Sequence, residues 1–106
     1  MTTQHRAWKP LFENDTVNAA VTGASAFLAF PKSPMGVRTV RIVNVGGAIT
    51  FVELVENAAT AASPTTSIPL LPNTVNYFTA VNDEVGLAFV GTAANTIYLT
   101  MGEGKA

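Results

Sequence analysis

The sequence has no cysteine and only one histidine, His5. The missing cysteine excludes disulfides and thiolate metal sites. His5 falls in an irregular N-terminal segment, where neither a Ser-His-Asp triad nor a histidine-based zinc site is supported. Glu53 and Glu56 have opposite parity on a predicted strand, so they point to opposite faces and do not form an acid–base pair. The sequence therefore predicts a protein that is not an enzyme and needs no metal or cofactor.

Charge is also scarce. Charged residues make up 12% of the chain, against about 25% in a typical soluble domain. The net charge is −1 and the six basic residues are scattered, so no basic stripe marks a nucleic-acid partner. A poorly charged surface favours association between copies. The composition fits an assembly component, and it fits equally well an ordinary β domain with a Thr- and Asn-rich surface.

Long apolar runs are missing as well. No stretch approaches the roughly 20 apolar residues that span a bilayer, and the segment from Met1 to Leu11 has no apolar core of a signal peptide. We therefore expect a soluble protein without a membrane partner, made in a cytoplasm.

Residues 1–15 show no sustained period, and Pro10 removes a backbone donor from any helix there. We interpret them as an extended N-terminal arm that precedes a single domain at residues 16–106. Its large apolar residues are Trp8, Leu11 and Phe12, which are poorly suited to a freely solvated tail. Two placements stay open: the arm packs back on the domain, or it docks on a partner through these three residues.

After Asp15 the pattern is β throughout, because short runs rich in Val, Ile, Thr, Phe and Tyr alternate with clusters of turn residues. Eight strands at this spacing are typical of a sandwich, a jelly roll or a small barrel, and we predict an all-β fold that is an antiparallel β-sandwich or a jelly roll. The predicted strands are Thr16–Thr22, Ser25–Phe30, Val37–Val45, Ala48–Glu56, Thr66–Leu70, Val75–Ala80, Val85–Gly91 and Asn95–Met101.

The clearest local pattern is VRTVRIVNV-GG-AITFVELVE. Gly46 and Gly47 between two apolar runs predict a two-residue hairpin turn, because glycine accepts the positive φ that such turns need. The register would then place Val40, Ile42, Ile49, Phe51 and Val55 on one face, as the core face.

The opposite face of that hairpin carries too many apolar residues for a plain solvent face. It is either covered by another layer of the chain or meets another subunit. Its candidate interface residues are Val43, Val45, Val52 and Leu54.

Three segments of this sequence, RIVNVGGAITFVEL, IPLLPNTVNYFTA and TIYLTMGEG, resemble small β-sandwich structural proteins of tailed-phage virions, of the head decoration or cement type. The resemblance covers about residues 37–104 and consists mainly of turn residues and apolar alternation. Met101 stands where that pattern has a proline before the glycine.

Such proteins are usually head decoration or head–tail accessory proteins, so the resemblance implies a virion role without fixing which one. The leading interpretation is a structural virion protein that decorates and stabilises the phage capsid by bridging neighbouring capsid subunits. Its implied partner is the major capsid protein, and its implied place is the capsid surface of the virion, after synthesis in the bacterial host cytoplasm. It also implies a homo-oligomer, a trimer or a dimer. Many identical copies would then resist internal pressure through multivalency.

Two other functions compete with this interpretation. One is a tail, fibre or head–tail accessory module that recognises protein or carbohydrate. Carbohydrate recognition needs an aromatic platform beside Asp or Asn, and the sole Trp, Trp8, lies in the arm. The other is a cupin-like jelly-roll enzyme, which the single histidine argues against.

Overall fold

The computed structural model describes residues 9–10, 16–31, 38–81 and 83–103, and they form two antiparallel sheets without a helix. Eight strands build the sandwich: β2 (Thr16–Val21), β3 (Ala26–Ala29), β4 (Arg38–Val45), β5 (Thr50–Val55), β6 (Ile68–Leu70), β7 (Thr74–Ala80), β8 (Gly86–Gly91) and β9 (Asn95–Glu103). A two-residue strand, β1 (Lys9–Pro10), lies beside the far end of β9. Each of the eight predicted strands overlaps one of the eight observed.

The pairing of the strands is nested. β2 pairs with β9, β3 with β8, β4 with β7 and β5 with β6. The first sheet has the order β2-β9-β4-β7, and the second has the order β3-β8-β5-β6. Two sheets with this nested antiparallel pairing make a jelly roll. The predicted all-β sandwich or jelly roll is therefore confirmed.

The core lies between the two sheets and is filled from both by alternate residues of each strand, as the period of two dictates. Its fully buried members include Phe89, Ile42, Leu70, Leu87, Ile97, Leu99, Met101, Val21, Val40 and Val52. These core residues are thus all apolar, and they combine β-branched residues and a phenylalanine, which favour strands, with leucine and methionine.

The predicted hairpin at Gly46 and Gly47 is wrong. β4 belongs to the first sheet and β5 to the second, so the chain crosses from one sheet to the other between Val45 and Thr50. Gly46 has φ 132°, whereas Gly47 has no positive φ, which also differs from a turn with two left-handed residues. A glycine pair between two apolar runs is compatible both with a hairpin and with a crossing between sheets. The strands that β4 and β5 pair with, which are distant in sequence, decide between the two.

Buried amides hold this crossing in place. Asn44 Nδ2 donates to the carbonyl oxygens of Ala48, Leu70 and Leu71, each at 3.1 Å. The Asn44 side chain is fully buried, and it therefore ties the crossing to the turn between β6 and β7.

The same amide also connects the two sheets directly. Thr50 Oγ1 donates to Asn44 Oδ1 at 2.9 Å, and Asn95 Nδ2 donates to the same oxygen at 3.1 Å. Asn95 Oδ1 in turn accepts a hydrogen bond from the Ala48 amide at 3.3 Å. Because buried polar groups stabilise only when they are satisfied, this network fixes one path for the crossing.

Candidate protein-binding surface

The outer face of the second sheet is covered by the chain itself. Residues 56–67, here called the strap, run across it between β5 and β6. Ala62 of the strap is buried in a second apolar cluster with Val55, Ala88 and Val90, against which Phe27 and Phe51 also pack. The apolar residues on this face therefore have a cover within the same domain.

Hydrogen bonds fasten the strap at its middle and at its end next to β6. The Ala62 amide donates to Ser25 Oγ at 2.9 Å. Near β6, Ser67 Oγ donates to Glu53 Oε1 at 3.1 Å, and the Ser63 amide donates to Ser67 Oγ at 2.9 Å. The strap is thus anchored to β5 and to the segment before β3, and it forms a packed layer of the domain.

The outer face of the first sheet has no such cover among the described residues, and we call it the open face. It is formed by alternate residues of β2, β9, β4 and β7. Four large side chains on it are substantially exposed: Val45 at 43%, Val75 at 44%, Tyr77 at 38% and Tyr98 at 40%. Four further exposed apolar residues, Ile68, Leu71, Val81 and Val85, lie on β6 or in loops.

The register of the paired strands places the apolar residues of the open face next to one another. Val43 lies opposite Tyr98 on β9 and opposite Val75 on β7. Because residues directly opposite on antiparallel strands have their Cβ atoms about 4.5–5.5 Å apart, these three side chains form a continuous strip across three strands. Val45 extends the strip by one step along β4.

Polar residues frame that strip. Thr16, Asn18 and Thr96 lie on the side of β2 and β9, and Thr16 Oγ1 and Thr100 Oγ1 share a hydrogen bond of 2.7 Å. Among the described side chains, the charged residue of the open face is Arg41, which lies opposite Tyr77 and Thr100. An apolar centre with aromatic residues, one arginine and a hydroxyl-rich rim is the composition of a protein-binding surface.

The four predicted interface residues do not share a face, so that prediction is wrong in part. Val43 and Val45 lie on the open face, whereas Val52 is fully buried in the core and Leu54 packs against it. The cause is the crossing at Gly46, because the parity expected for a hairpin does not carry over into the other sheet. The predicted arm contacts Trp8, Leu11 and Phe12 lie outside the described residues.

Sequence reasoning missed the contribution of β7 and β9 to this surface. Val75, Tyr77 and Tyr98 are separated from Val43 by more than 30 positions in sequence, and they join it only through the pairing of β4 with β7 and β9. Their alternation with buried residues marks each as outward-facing, but it does not tell which strands are neighbours.

Neither a metal site nor a membrane helix emerges from the described residues. No cluster of three or more His, Asp and Glu side chains in them is arranged to hold a metal ion. Within the same ranges, no helix has the length and hydropathy to cross a membrane.

Comparisons with known proteins give no family for this chain. No protein-family model matches it, and no curated protein and no solved structure is significantly similar to it.

Proposed function

We propose that this protein is a structural virion protein that attaches to a phage capsid through its open face and stabilises the shell by bridging neighbouring subunits. The observation that carries the proposal is the contrast between the two outer faces. One apolar face is covered by the strap, while the other keeps Val45, Val75, Tyr77 and Tyr98 exposed. Large exposed apolar patches on small proteins commonly mark interaction sites.

The chemistry of the open face favours a protein partner. Tyrosine and arginine are enriched in protein interfaces because they combine a large contact area with hydrogen-bonding groups. Tyr77, Tyr98 and Arg41 supply these groups beside the valines of the strip. A flat sheet face of this kind suits a broad capsid surface, where many weak, identical contacts add up through multivalency.

The test is co-sedimentation of the chain with shells assembled from the major capsid protein that the same genome encodes, in their expanded and unexpanded forms. We expect binding to the expanded shell, and we expect Val45→Lys to weaken it at least tenfold by placing a charge in the strip. The fold should be unaffected, since exposed substitutions usually change stability by less than about 0.5 kcal/mol.

The matched control is Val85→Lys. Val85 is the same residue type with nearly the same exposure, 42%, but it lies in the loop before β8. This variant should bind like the unmodified chain. If both variants bind equally well, the open face is not the surface that attaches to the shell. If the chain binds neither form of the shell, the decoration role is refuted.

A tail or fibre module that binds carbohydrate is the alternative, and the two exposed tyrosines favour it. The valines between them speak against it, because sugar hydroxyls next to aliphatic side chains lose hydrogen bonds to water. Binding to a panel of host-surface glycans, lost in Tyr98→Ala and without binding to shells, would select this alternative.

A further inference from the structure

We infer that the outer edge of β7, on the side away from β4, is a self-association site, at which two copies of this chain pair their β7 strands antiparallel and form a two-fold dimer. This inference goes beyond the proposed function, because the dimer forms in the free protein without a capsid. β7 is paired on one side only within the described residues, by β4. Its other side presents backbone groups that another strand can satisfy.

The other edges of the sandwich are less suited to pairing. β6 has three residues with Pro69 at its centre, and β3 has four residues. Short strands and proline are devices that protect edges from pairing. β2 has six residues, but three of them are Asn or Ala, which are weak strand formers.

β7 has no proline and is the longest of these four edge strands. Its sequence, TVNYFTA, has seven residues without proline, glycine or charge. Val, Tyr, Phe and Thr account for most of it, and these residues favour strands. A strand with this composition at an open edge is the expected site of edge-to-edge association.

The occupant that this edge fits is a second copy of itself. Antiparallel pairing of all seven residues puts the two-fold axis at the central residue, Tyr77. Tyr77 then lies opposite its own counterpart, and Val75 lies opposite Thr79 of the second copy. Because β7 has no charged residue, the symmetry creates no like-charge repulsion, and the central tyrosine pair adds aromatic contact.

The geometry has a consequence for the open face. Residues directly opposite in an antiparallel pair point to the same side of the sheet, so the dimer has one continuous sheet of eight main strands. Both open faces lie on the same side of it. A closed two-fold pairing of this kind ends at the dimer rather than growing into a fibre.

The test is sedimentation equilibrium of the full chain over a wide concentration range, with two double variants that use the register. In Val75→Lys/Thr79→Lys, each lysine lies opposite a lysine of the second copy, so the dimer dissociation constant should rise roughly tenfold or more. In Val75→Glu/Thr79→Lys, each position lies opposite the complementary charge, so dimerisation should be retained.

Ala20→Lys is the control, because Ala20 is exposed on β2 at the opposite edge of the same sheet. It should leave the dimer intact. Hydrogen exchange of the unmodified chain gives a measurement without any substitution: the β7 amides should become more protected as concentration rises.

A chain that stays monomeric at millimolar concentration would overturn the inference. So would a dimer that both double variants leave equally strong, or one that Ala20→Lys dissociates, since that would move the contact to another surface. Capsid binding by a strictly monomeric chain would reject the dimer and leave the proposed function standing.

Discussion

The outer face of the second sheet is packed under the strap, whereas no described residue covers the outer face of the first sheet. Both faces are apolar in sequence: Phe51 and Val55 alternate on one as Val43 and Val45 do on the other. The two faces differ because the strap, a twelve-residue loop between β5 and β6, covers the outer face of the second sheet. Apolar alternation on both sides of a strand thus signals a covered face, but it does not say whether the cover is in the same chain.

The crossing between the two sheets is where we expect the largest effect of one substitution. Asn44→Ala removes the donor to three carbonyl oxygens, of which that of Leu70 is buried, and the acceptor of Thr50 and Asn95. Leaving these groups unsatisfied should lower the free energy of unfolding by about 3 kcal/mol. Chemical denaturation measures this, with the exposed Asn18→Ala as a control expected to change it by less than about 0.5 kcal/mol. Equal effects of the two substitutions would mean that the amide network does not hold the crossing.

The covered face is tested by two neighbouring alanines of the strap. Ala62→Asp puts a carboxylate among Val55, Ala88 and Val90, and should lower the free energy of unfolding by about 2–3 kcal/mol. It should also increase binding of a hydrophobic dye, because the strap has to lift. Ala61 is exposed, so Ala61→Asp should be nearly neutral in both measurements. If the two variants behave alike, the strap is not a packed layer and the contrast between the faces disappears.

The two glycines of the crossing separate the observed path from a hairpin. A Cβ on Gly46 would overlap Asn95 Oδ1, and Gly46 has φ +132°. Gly46→Ala should therefore lower the free energy of unfolding by about 2 kcal/mol, from positive φ and this overlap together.

Gly47 has no atom within 4 Å of such a Cβ and no positive φ. Gly47→Ala should be neutral or stabilise the fold by up to about 1 kcal/mol, through the unfolded state. Thermal unfolding of the pair distinguishes the two paths. A two-residue hairpin would make both variants unstable.

The strands could be predicted from local sequence, because a period of two and turn residues are local properties. The sheet that each strand joins could not. Val45 and Thr50 flank a glycine pair typical of hairpins, yet their strands part because Asn44, Thr50 and Asn95 satisfy one another at the crossing. Asn95 lies 51 positions from Asn44, so no short window of sequence contains the interaction that decides the topology.

Arg38, at the start of β4, is a buried charged residue. Charged side chains are rarely fully buried unless they are paired, and Arg38 is 3% exposed. Its Nη2 donates to the carbonyl oxygens of Val81 at 2.7 Å and Glu84 at 3.1 Å. Its guanidinium also lies 5.6 Å from the Phe30 ring centroid, a favourable cation–π distance. Arg38 thus closes the end of the core opposite to the crossing, with partners more than 40 positions away.

The nested pairing has a consequence for the order in which the protein can fold. β9 lies between β2 and β4, so the centre of the first sheet stays empty until β9 has left the ribosome. Until then β2 and β4 have no strand between them to pair with, and their apolar residues have no complete core in which to pack. Closing such long loops is slow. We therefore expect the domain to lack a complete core until β9 has been synthesised, and then to complete its first sheet in one cooperative step.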